Sequence, residues 1–112
     1  FYNDSIKNKK IKIAFSKLKT EKNNYFRYPI LLKDKQEAQK FYNYMKNNNV
    51  LLWKTWSFSS ITPIWSNILK CSFVEKNNKN AVNISDRIFF LPNHFGVNLR
   101  NIEKIVNLIN KY

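Results

Sequence analysis

The sequence predicts a two-layer α+β domain in the order β-α-β-loop-α-β-α, with helices on one side of a small mixed sheet. Three observations predict it. Asp34–Asn49 and Asn98–Ile109 repeat apolar residues every three or four positions, the period of a helix with one buried face. Tyr25–Leu32 and Ile88–Leu91 are short, aromatic and β-branched, as buried strands are. The chain has 112 residues, room for one small domain, and 18 of them are aromatic, more than a disordered tail would carry.

Each element follows from its residues. Phe1, Tyr2 and Ile6 fit the tail of a helix. Ile11, Ile13 and Phe15 alternate with Lys12 and Ala14, a short period of two. Lys17–Asn24 is polar and reads as a turn. Tyr25–Leu32 reads as a strand, and Pro29 then belongs on an edge or at a bulge. Helix Asp34–Asn49 opens with Asp34 as its cap and Glu37 three residues on. Its apolar face is Ala38, Phe41, Tyr42 and Met45, and Asn47–Asn49 stop it, with Asn in the left-handed role that Gly often fills. Val50–Trp53 is a further strand. Lys54–Trp65 has no clear period and reads as an ordered loop. Ser66–Phe73 suits a short helix, Glu75–Asn80 a polar tip, and Ala81–Arg87 another short helix. Ile88–Leu91 is a buried strand ended by Pro92. Asn98 caps a last helix whose core face is Leu99, Ile102, Ile105, Val106 and Ile109.

Composition excludes several classes. There is no apolar run of the ~18 residues needed to cross a bilayer, and no signal-peptide pattern opens the chain. One Cys excludes an internal disulfide framework and leans to a cytoplasmic setting. The opening at Phe1, with the only Met at Met45, suggests a piece of a longer polypeptide. The formal charge of +13 raises the question of nucleic acid. However, 17 of the 20 basic residues are Lys, whereas base and phosphate readers favour the planar fork of Arg. Lys, Asn and Ile make up 47 residues, the signature of AT-rich codons, so a solvated Lys/Asn surface is the default. No zinc, helix-turn-helix or RNP-like signature is present.

The order and spacing of three pieces resemble the C-terminal small domain of the DegT/StrS-type (perosamine-synthetase-like) sugar aminotransferases, fold-type-I enzymes that use pyridoxal 5′-phosphate (PLP). YPILLKDKQEAQKFYNYMKNNNV is similar to the family's "FPI–V, helix, –GI" unit. ITPIW, at Ile61–Trp65, is similar to its "LQPxY" segment. AVNISDRIFFLPNHFGVNLRNIEKIVNLI is similar to its "A–LS–RILSLPMH–LT–EDI–VV–I" stretch, the most specific of the three. On this resemblance residues 1–24 are the end of the interdomain helix and its lead-in, and residues 25–112 are the small domain.

The resemblance implies that the cofactor lysine, the phosphate cradle and the carboxylate facing the pyridine nitrogen lie in a large domain of the same polypeptide. No catalytic and no cofactor-binding residue is then expected in this chain, which would close over the active site. The parent would be a cytoplasmic homodimer acting on a nucleotide-linked keto-sugar with an amino donor. One departure stands out. The family's His-Tyr-Pro…His-Leu-Gln-Pro segment has lost both histidines: Ser60 holds the second position, and Lys54 or Thr55 the first. Two other readings stand beside this one: a non-catalytic aminotransferase-like interaction module, and a basic nucleic-acid-binding domain.

The candidate substrate-facing residues are accordingly Lys54, Thr55, Trp56, Ser60 and His94. Each has a plainer reading. His94 would order the turn before the last helix, and Lys54 would be one more surface lysine. Trp53, Trp56 and Trp65 would be core or an interdomain face rather than a stacking platform. Phe1, Tyr2, Trp53, Trp56 and Phe58 are the apolar residues expected at an interdomain surface. Cys71 and His94 are each unique and distant in sequence, so neither a dyad nor a metal site is expected.

Overall fold

The computed structural model of the protein describes residues 1–13, 27–54, 78–94 and 96–112. The expected turn at Lys17–Asn24, Phe15, most of the loop after Lys54 and the helix at Ser66–Phe73 lie outside the described residues.

Helix α2 spans Lys35–Asn47, and its start is set chemically. The Asp34 carboxylate accepts the Glu37 backbone N–H at 2.8 Å, satisfying one of the amides that a helix start leaves orphaned. Its end is set by Asn49, which takes φ 59°, the left-handed conformation that short polar side chains tolerate. Ala38, Phe41 and Met45 form its buried stripe, and Tyr42 packs beside them. Helix α4, Leu99–Lys111, starts in the same way, with the Asn98 side chain accepting the Asn101 N–H at 2.9 Å. Ile105, Val106 and Ile109 are its buried face. Leu99, expected in that face, is 59% exposed because it sits in the first turn, beyond the reach of the sheet.

Three strands, β1 (Ile11–Ile13), β2 (Tyr28–Leu32) and β3 (Ile88–Leu91), pair in the order β1-β2-β3. Among the described residues both pairings are antiparallel, where a mixed sheet was expected. The register sets Ile11 opposite Leu32, Ile13 opposite Ile30, and Ile30 opposite Phe89. Opposed residues share a face, so Ile11, Tyr28, Ile30, Leu32, Phe89 and Leu91 form one apolar surface. That surface joins Tyr2, α2 and α4 in a single core. Phe41 meets Phe89 and Tyr112, with centroids 6.2 and 5.0 Å away. Burying each such side chain is worth about 1.5–3 kcal/mol relative to leaving it in water.

Pro29 lies in the central strand, not at an edge or a bulge. The hydrogen-bond phase explains why it is tolerated. Its partner Phe90 turns its own N–H and C=O away from β2, toward Trp53, at 2.8 and 3.3 Å. The 29–90 pair is therefore the non-hydrogen-bonded kind, and β2 loses no bond to β3 at the proline. The missing N–H faces the β1 side, one residue beyond the Ile13–Ile30 pair.

Two more expectations change. Val50–Trp53 is not a strand; Trp53 alone bridges Phe90 at the outer edge of β3, while Val50 and Leu52 turn into the core. Helix α3 spans Lys79–Ser85, starting two residues early and stopping before Arg87. Helix α1 is a single turn, Tyr2–Ser5. Tyr2, expected on an uncovered surface, is only 5% exposed, because its ring packs 4.8 Å from Tyr28. Phe1 and Trp53 do remain exposed.

The two ends of the chain are sewn together. Asn8 Nδ2 donates to the Ile109 carbonyl at 2.7 Å, and Asn110 Nδ2 to the Ser5 carbonyl at 2.9 Å. The Lys7 N–H donates to Asn110 Oδ1 at 2.8 Å. Among the described residues, no helix is long and apolar enough to cross a membrane.

Candidate functional site

Strand β3 stops where Pro92 removes the next ladder donor, and Asn93 and His94 then turn toward α4. The edge bridge brings Trp53 alongside Phe90 at this point. Arg27, just before β2, lays its guanidinium over the Trp53 ring at 4.9 Å and the Phe90 ring at 5.7 Å. Together with Leu51, Pro92 and His94 these residues line a cleft of about 260 Å3. Trp53 is 58% exposed there, a large apolar face turned to solvent.

His94 is held by the turn it belongs to. Its Nδ1 accepts the Gly96 N–H at 3.2 Å, and its carbonyl accepts the Val97 N–H at 2.9 Å. With Nδ1 as acceptor, the proton of the neutral ring is assigned to Nε2. A Cβ at Gly96 would crowd this contact, standing 3.2 Å from both Nδ1 and Cε1 of the imidazole. His94 therefore both orders the turn and lines the cleft.

Pro92 is anchored from behind. The Tyr2 hydroxyl donates to the Pro92 carbonyl at 2.9 Å, across 90 residues of sequence. Burial pushes the Tyr2 phenol up to about 12 from its usual 10.0, since a phenolate there would be stripped of water. Tyr28, the ring beside it, donates to the Asn3 side chain.

Lys54 follows Trp53 but is not part of the cleft lining. Its Nζ donates to the Asp86 carbonyl at 3.3 Å and lies 4.8 Å over the Phe89 ring. Burial lowers its ammonium pKa, the Asp86 charge works against that shift, and Lys35 adds to it. Lys35 in turn pairs with Asp86 at 3.3 Å. Thr55, Trp56 and Ser60 lie outside the described residues.

The structure thus joins His94 to Trp53, and sets Lys54 apart from both. It adds Arg27 and Leu51, which the sequence reading did not single out. The signal for Arg27 was faint: a lone Arg within the aromatic run Tyr25–Tyr28. Leu51 gave none, because its exposure depends on Val50 and Leu52 both turning inward. An aromatic wall, a guanidinium and an imidazole N–H suit a flat or apolar group bearing a polar or anionic substituent. Among the described residues, no group of three or more His, Cys, Asp or Glu is placed to hold a metal ion. No protein-family model matches the chain, and no curated protein matches it.

Proposed function

We infer that this chain is the C-terminal small domain of a PLP-dependent aminotransferase of the DegT/StrS type, acting on a nucleotide-linked keto-sugar. One observation carries the reading. Segments that resemble that family in sequence are neighbours in space: YPILL is β2, IFFL is β3 beside it, and His94 follows Pro92 into a cleft with Trp53. A cleft at the mouth of a strand end, bounded by an exposed Trp and a cation, is suited to closing over a substrate.

The described residues do not fit the cofactor itself. Lys54, whose ammonium burial disfavours, points Nζ at a carbonyl and a ring rather than into the cleft. The cofactor would be held by the large domain, where it supplies the electron sink for amino transfer. The part of this chain is substrate binding. Trp53 offers a flat face, Arg27 a cation, and His94 a hydrogen-bond donor. Such a parent would work in the cytoplasm, as a homodimer, with the large domain as the partner of this one.

The full-length polypeptide tests the reading. The gene upstream of Phe1 should encode a large domain with a cofactor-binding lysine. The purified protein should transfer an amino group from an amino acid to a nucleotide-linked keto-sugar, read by mass spectrometry of the product. Trp53→Ala and His94→Ala should raise KM several-fold and leave kcat nearly unchanged, because both contacts serve ground and transition states alike. An upstream gene without such a domain overturns the assignment.

A further inference from the structure

Five cations of this chain gather at the end of the sheet opposite the cleft. A concavity of about 530 Å3 is lined by Lys9, Lys10, Lys12, Lys33, Arg87 and Glu37, with the buried Leu32 among them. The fold puts them together from three places. Lys9 and Lys10 precede β1, Lys12 lies within it opposite Leu31, and Lys33 follows β2. Arg87 joins because the Leu32 N–H donates to its carbonyl at 3.0 Å.

Their charge is answered only in part within the described residues. Glu37 is the one acid of the lining, and Lys10 already faces it at 3.9 Å. Lys10 is held further by the Tyr112 carbonyl at 3.3 Å and lies over the Tyr112 ring. Lys9, Lys12, Lys33 and Arg87 form no ion pair among the described residues. Arg87 is nevertheless fixed in position. Its guanidinium donates to the carbonyls of Lys33 at 2.8 Å, Asn83 at 3.0 Å and Leu32 at 3.4 Å. Four like charges around one hollow repel each other, and their potentials add within it.

A single carboxylate would answer one of these cations. Four call for several charged oxygens close together, which phosphate groups joined in an anhydride provide. Lysine ammonium is a point charge and binds phosphate without the planar geometry that a bidentate carboxylate contact needs. We propose that this concavity is a binding site for a small polyphosphate-bearing anion, held by Lys9, Lys12, Lys33 and Arg87. It lies at the Leu32 end of β2, whereas the Trp53–His94 cleft lies at the Tyr28 end, and it does not depend on the aminotransferase reading.

The test is an amide NMR titration of the 112-residue chain with inorganic pyrophosphate at low salt. Saturable shifts are expected at Lys9, Lys10, Lys12 and Lys33, weakening as salt is raised. Lys12→Glu with Lys33→Glu should weaken binding at least about tenfold. Lys46→Glu with Lys104→Glu, of equal net charge but away from the concavity, should leave affinity within about twofold. The same spectra report whether each variant is folded. Equal weakening by both pairs would reduce the effect to net charge and overturn the site. So would shifts that never saturate. A ten-nucleotide single strand that produces these shifts where pyrophosphate does not would replace the small anion with nucleic acid.

Discussion

Replacing Tyr2 by Phe removes one oxygen and nothing else. The ring keeps its place 4.8 Å from Tyr28, but the Pro92 carbonyl loses the donor that reaches it at 2.9 Å. At pH 8 that loss should cost about 0.5–1.5 kcal/mol, the net worth of one partly buried hydrogen bond. Alkali should erase that lead. The folded-state pKa of Tyr2 is raised, from the usual 10.0 to about 12, so the folded chain holds this proton where the unfolded chain has released it. The contribution is complete below pH 10 and is lost as pH climbs toward 12. At 1.36 kcal/mol per unit, the full loss is roughly 2.7 kcal/mol, and about half has gone by pH 11. The wild type should therefore lead by about 1 kcal/mol at pH 8, and the two chains should be nearly equal by pH 11. Urea denaturation of both chains at pH 8, 10 and 11 measures this directly. Tyr112, whose phenol is also raised to about 12, is present in both chains and sets a common background. A gap that stays constant across the pH range would refute the argument, because the phenol would then not be the titrating group.

Three other substitutions test the frame. Asp34→Ala removes the cap on α2 and should cost about 1 kcal/mol in the same assay, with Asp34→Asn recovering most of it. Phe41→Ala empties a fully buried site between Phe89 and Tyr112, so a loss of about 3–5 kcal/mol is expected, enough to populate the unfolded state in dilute urea. Asn49→Gly relieves the side chain of its left-handed backbone, and its urea midpoint should match or exceed the wild type despite the added freedom of the unfolded chain.

What the sequence disclosed was governed by local physics. The Asp34 cap, the Ala38–Phe41–Met45 stripe and the Asn49 stop all act within a few residues, and each is found as read. What it concealed was set by pairing across the chain. Pro29 looked like an edge residue because a proline in a central strand usually forfeits a ladder bond; only the phase set by Phe90 and Trp53 shows that the β3 side is spared. Val50–Trp53 carried a strand-like composition, yet within it Trp53 alone bridges β3, at Phe90. Of the cleft residues, His94 was named on the likeness of its Leu-Pro-Asn-His stretch to the family's segment, with ordering the turn as its plainer reading, whereas Arg27 reaches the cleft through rings distant in sequence. The basic concavity had no linear signature, being drawn from residues 9–12, 33 and 87.

The seam between Ser5–Asn8 and Ile109–Asn110 has a consequence for how the chain reaches its native form. These contacts close a loop of about a hundred residues, so they cannot form until the intervening chain has been drawn in. Helix α2 and its cap need only neighbouring residues and can appear early; the seam is a high-contact-order step that belongs late. Weakening the seam should therefore leave the folding rate nearly unchanged and appear instead as faster unfolding, the mark of contacts made after the rate-limiting step.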